Sequence, residues 1–110
     1  MEITETSRHE ARHAGFCHQN DITVERVRVQ TNGWGNTLFI GLRPEELAAL
    51  YSWYERAATE KMTAYLAACM VGTGGAEGLM SAKDQALLYG YKAMWDEIAE
   101  YPPDGDQLID

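Results

Sequence analysis

The chain has 110 residues, with 17 acidic against 9 basic side chains for a formal net charge of −8, and 45% hydrophobic and 24% charged residues. That balance describes one soluble domain with enough apolar side chains for a core that needs no metal or disulfide staple, and it excludes disorder throughout. No apolar run approaches the ~18 residues of a membrane span, and the start Met1-Glu2-Ile3-Thr4-Glu5-Thr6 is neither basic nor apolar enough for an export signal, so the expected compartment is the cytoplasm.

The first twenty residues give the weakest signal. Ile3 and Thr4 suit the start of an edge strand, and residues 7–13 one or two helical turns that Gly15 is expected to end. From Asp21 to Leu42 the chain reads as a β-hairpin. Ile22 to Gln30 is rich in β-branched residues, Asn32-Gly33-Trp34-Gly35-Asn36 supplies the turn, and Thr37-Leu38-Phe39-Ile40 returns. Ile22 and Val24 fall on one face by period two, whereas Val27 and Val29 fall on the other, so a bulge near Glu25-Arg26 is expected. That register points Arg26 and Arg28 outward together.

Pro44-Glu45-Glu46 opens a helix, with proline in its first turn and two carboxylates at the positive end of its dipole. Leu47, Leu50, Tyr51, Tyr54, Ala58, Met62, Tyr65, Leu66 and Cys69 then recur at three- and four-residue steps, one amphipathic stripe long enough to predict a kink near residues 57–59. Four glycines within residues 72–78 end it. A last helix is capped by Ser81 and carries Leu87, Leu88, Tyr91, Met94, Trp95, Ile98 and Tyr101 inward until Pro102-Pro103 stops it. The expected fold is α+β: a small antiparallel hairpin or sheet in the N-terminal half packed against two antiparallel helices in the C-terminal half. One domain covers residues 1–103, and an acidic flexible tail covers 104–110.

Three patterns bear on chemistry. His9 and His13, four residues apart, share a helix face and could meet one cation, with Cys17 a turn further on and His18 beside it. Gly15, the lack of a second ligand pair and the nearby charges of Arg8 and Arg12 weigh against that, so neither metal nor cofactor is expected. The glycine-rich segment could cradle a phosphate, but it follows a helix, lacks a Lys-Ser/Thr pair and contains Glu77, so it reads as a connector. Ser7, Ser52 and Ser81 lie in no nucleophile-elbow context, and the expectation is of a protein that is not an enzyme.

Charge and aromatics suggest binding instead. Residues 71–110 hold eight acids and two bases, and from Asp96 onward Asp96, Glu97, Glu100, Asp104, Asp106 and Asp110 are joined by no Lys or Arg. Such an end repels nucleic acid and favours a cationic protein surface, including one that binds phosphates. Trp34 at the hairpin tip, with Arg26 and Arg28, forms a second expected docking patch. In general character, being small, acidic and without an assigned catalytic motif, the chain is similar to phage-encoded inhibitors of bacterial defence, anti-CRISPR proteins among them, a likeness of type that rests on no matched residue. It implies a non-enzymatic inhibitor or adaptor with a basic protein partner, no direct nucleic-acid binding and no membrane. The alternatives are a homo-oligomeric structural or regulatory domain, with a homodimer as one form, or a His/Cys metal-binding protein.

Overall fold

A computed structural model describes residues 4–73 and 80–103 of the chain. Its elements are α1 (Glu5–Gln19), β1 (Val24–Val29), β2 (Gly35–Phe39), α2 (Pro44–Trp53), α3 (Glu55–Met70), a 3-10 turn (Val71–Thr73) and α4 (Ala82–Glu100). The architecture is α+β, with a two-stranded antiparallel sheet in the N-terminal half and helices after it. Among the described residues no helix is long and apolar enough to cross a membrane.

The N-terminal segment departs from expectation. Instead of a strand and one or two turns it forms a 15-residue helix, capped by Thr4, whose hydroxyl accepts from the Ser7 N–H at 3.1 Å. Gly15 does not end it. An exposed glycine inside a helix costs about 1 kcal/mol, and the turns on either side bury His13 and Cys17 against the rest of the molecule. The helix stops instead at Asn20-Asp21, where Asp21 adopts φ 57, a left-handed conformation that aspartate tolerates better than most residues.

The hairpin forms with its bulge where the alternation of valines demanded one, between Val24 and Arg26. Gly33 takes φ 88 in the turn, which only glycine adopts freely. Thr37 pairs with Val27, and Arg26 and Arg28 pair with Leu38 and Asn36, so the two arginines lie on the sheet face opposite Thr37 and are exposed. The hairpin lies against α1.

The long amphipathic stretch divides into α2 and α3, and the break falls at Tyr54, not at 57–59. Tyr54 is extended (φ −165, ψ 108) and ends α2 before α3 begins. That turn rotates Tyr54 out of the stripe, so it is 59% exposed where the periodicity expected it inward. The core is otherwise close to expectation, with Leu47, Ala58, Met62, Tyr65, Cys69, Leu88 and Tyr91 buried together with Cys17, Ile22, Leu42 and Ala68. Leu87 and Tyr101, expected inward on α4, are exposed.

Candidate metal centre

Ser81 starts α4 by accepting the Asp84 N–H at 3.2 Å, which sets the first turn of that helix and places the Asp84 side chain beside α1. On α1, His9 and His13 lie one above the other, as residues four apart must. The three side chains converge. His9 Nε2 is 3.1 Å from His13 Nε2 and 3.2 Å from Asp84 Oδ2, and His13 Nε2 is 3.3 Å from the same oxygen.

The protons of this cluster can be assigned from its partners. His13 Nδ1 lies 2.6 Å from the Ala68 carbonyl, and a carbonyl only accepts, so Nδ1 donates and the neutral ring presents a lone pair at Nε2. A backbone carbonyl that fixes the tautomer and turns Nε2 outward is the usual outer support of a metal-binding histidine. Two imidazole nitrogens and a carboxylate oxygen at the corners of one small triangle repel each other unless protons or a cation lie among them. For ligand bonds of about 2.0–2.1 Å, tetrahedral geometry places ligand atoms about 3.3 Å apart, close to the observed edges. Among the described residues, His9, His13 and Asp84 form a group that could hold a metal ion.

Burial alone would lower the His13 pKa, but the hydrogen bond to Asp84, the Ala68 carbonyl and the charges of Asp84 and Glu10 outweigh it and raise the value above 6.5. Burial likewise pushes Asp84 up, and its contacts with His13, Ser81 and His9 more than reverse that, leaving it below 3.8. The two groups thus hold their charged forms against each other, one protonated and one ionised, and a divalent cation would replace the proton.

Gly72 is part of the same construction. Its backbone comes so close to the imidazoles that a Cβ would collide with His13 Nε2 and lie 2.7 Å from His9 Nε2. Arg12 holds that segment by donating to the Gly72 carbonyl at 3.0 Å.

Glu10 completes the site. It is buried, its Oε1 lies 3.9 Å from His9 Nε2, and its Oε2 accepts from the Thr37 hydroxyl of β2. All four groups face a cleft of about 810 Å³ between α1, β2 and the start of α4, with Phe39 and Leu87 as its apolar wall and Arg12 and Lys83 among its charged residues. Lys83 sits over the Trp34 ring at 4.9 Å from its centroid, so the hairpin tip reaches the start of α4.

Of the residues read from the sequence, the structure brings together His9 and His13 and leaves out the rest of that set. Cys17 is fully buried in the core, with its thiol pKa raised by burial, and His18 is exposed. Cys69 is likewise a core thiol, pushed by burial up to about 12. Asp96, Glu97 and Glu100 are exposed along α4, away from the cleft, while Asp104 and Asp106 lie outside the described residues. Trp34 is 38% exposed and turned toward Lys83, not toward Arg26 and Arg28 on the outer sheet face.

Two residues of the candidate site escape the sequence reading. Asp84 comes from 71 residues beyond His13 and only the fold delivers it. Glu10 had a signal: His9-Glu10-Ala11-Arg12-His13 places a glutamate directly after the first of two histidines spaced four apart on a helix, the pattern in which the histidines bind zinc and the glutamate takes a proton from water. Five residues recur by chance in many helices; a carboxylate arriving as third ligand gives the pattern chemical content. Comparison of the chain with protein-family models, with curated proteins and with solved structures finds no match.

Proposed function

We propose that the protein is a hydrolase dependent on a divalent metal ion of the zinc class, acting on a peptide- or ester-type carbonyl in the cleft between α1, β2 and α4. The convergence of His9 Nε2, His13 Nε2 and Asp84 Oδ2 within 3.3 Å carries this reading. Three protein ligands leave a coordination position open, as in hydrolytic sites, whereas structural zinc sites close all four. A bound ion supplies polarisation of the scissile carbonyl and a water of lowered pKa. Glu10 would be the proton acceptor for such a water, a role supported by its carboxylate beside the ligand histidines, with Oε1 3.9 Å from His9 Nε2. Phe39 and Leu87 would receive an apolar substrate group.

The test is direct. Metal-free protein should bind one zinc ion, and the loaded protein should cleave fluorescein-labelled casein or 4-nitrophenyl acetate. Glu10→Gln should lower turnover by about 100-fold or more while keeping the ion, and Asp84→Ala should lose both. Wild-type protein that binds no zinc at micromolar concentration, or turnover equal in the Glu10→Gln variant, would overturn the proposal.

A separate observation favours a second, compatible reading as a binding module. A groove of about 570 Å³ between α2 and α4 has Ala48, Ala93, Met94 and Ile98 in its lining and the exposed acids Glu45 and Glu97 at its side, with Asp96 and Glu100 on the same helix. Its shape and charge suit a basic amphipathic helix of a partner protein. A lysine-rich amphipathic peptide should bind with salt-sensitive affinity and lose that binding when Asp96, Glu97 and Glu100 are reversed to lysine; affinity unchanged by the reversal would end this reading.

A further inference from the structure

Resting on the assignment of Glu10 as proton acceptor, we infer that Thr37 is a positioning residue for that carboxylate, and that the β-hairpin serves the site by presenting it. Glu10 and Thr37 are 27 residues apart, and the Thr37 hydroxyl donates to Glu10 Oε2. The same hydroxyl oxygen lies 3.3 Å from the Glu10 backbone carbonyl, so it is seated against both ends of the residue. A hydroxyl has one proton to donate, and the short contact assigns it to the carboxylate. With Oε2 engaged, the carboxylate cannot rotate freely, and Oε1 is the oxygen left facing His9.

The placement of Thr37 follows from the hairpin register. It pairs with Val27 beyond the bulge, on the sheet face opposite Arg26 and Arg28. A slip of one residue would turn Leu38 toward Glu10 and leave a buried carboxylate without its donor. Next to it, a Cβ on Gly35 would lie 2.6 Å from Thr6 and 3.1 Å from Glu10, so the strand approaches α1 as closely as it does because that position has no side chain.

The test uses cobalt in place of zinc, because its visible absorption reports binding without any turnover. Acetohydroxamate chelates such an ion through two oxygens and shares a proton with an adjacent carboxylate. Its affinity for the cobalt-loaded protein therefore reads how well Glu10 is placed. Thr37→Val should weaken acetohydroxamate about tenfold and lower kcat for 4-nitrophenyl acetate by a similar factor, at unchanged KM and unchanged metal affinity. Thr37→Ser, which keeps the hydroxyl, should remain within about twofold of wild type. Should the valine variant lower the melting temperature, Thr37→Ala makes the same comparison in a smaller side chain. Acetohydroxamate that binds the valine and alanine variants as it binds wild type, while Glu10→Gln weakens it, would overturn the role of Thr37 alone. A wild-type protein that takes up no cobalt, or whose acetohydroxamate affinity ignores Glu10→Gln, would overturn the assignment of Glu10 and this inference with it.

Discussion

His13 is held at both ends of its ring, by the Ala68 carbonyl at Nδ1 and by Asp84 and His9 at Nε2, so its protonation state and its stability contribution are linked. Its pKa is raised above 6.5 in the folded state, so the stabilisation it gives is fully present below 6.5 and is lost as pH rises through the folded value. Asp84, lowered below 3.8, contributes above 3.8 and loses that contribution as pH falls through its own folded value. The metal-free protein should therefore melt highest between these limits and less well at pH 8, and excess zinc should reverse the alkaline loss. Differential scanning calorimetry at pH 5.5 and 8, with and without zinc, checks this; a His13→Asn variant should show neither the alkaline decline nor the zinc rescue. Gly72 makes a sharper demand. Gly72→Ala inserts a methyl against both imidazoles, so isothermal titration should find zinc affinity reduced about tenfold or more, and urea unfolding should show a stability loss of about 1–3 kcal/mol from the same overpacking.

Among the elements, α4 carries Asp84, the third proposed ligand, in its first turn, and Ser81 is the cap that fixes that turn. Removing an N-cap hydroxyl costs about 1 kcal/mol. Ser81→Ala should lower stability by that amount in urea unfolding and should also weaken zinc several-fold, because a frayed first turn no longer fixes Asp84. A control at the other end of the same helix, Glu100→Ala, should do neither. The two-stranded sheet is too small to stand alone in water, and here it lies against α1 with Phe39 near the Tyr65 ring, 6.2 Å between centroids.

For the whole molecule, the cluster ties α4 to α1 across a long stretch of intervening chain. A ligand bound by the native state alone stabilises by about 2.7 kcal/mol at 100 times its dissociation constant. In a domain of this size that corresponds to a melting-temperature rise of roughly 10 °C or more. Zinc should produce such a rise in wild type and none in Asp84→Ala. Hydrogen exchange should place the added protection in α1 and the first turns of α4, since those are the segments the ion would join.

Much of the fold is legible in the residues themselves. Asn32-Gly33, the switch in valine alternation and the β-branched run define a bulged hairpin, Pro44-Glu45-Glu46 defines a helix start, and Ser81 defines another, because capping, turn chemistry and periodicity are local effects. The length of α1 is less legible, since Gly15 argues against a helix that burial of Cys17 carries on to Gln19. Tyr54 shows the same limit: nothing at that position forbids a helix, and the break follows from packing. The site divides in the same way. Spacing puts His9 and His13 on one face of the helical turns expected over residues 7–13, and the pattern between the histidines makes Glu10 readable. Asp84, Thr37 and the Ala68 carbonyl reach them only through the fold, because a contact across 71, 27 or 55 residues is set by how helices and hairpin pack, and no local preference of the chain encodes it.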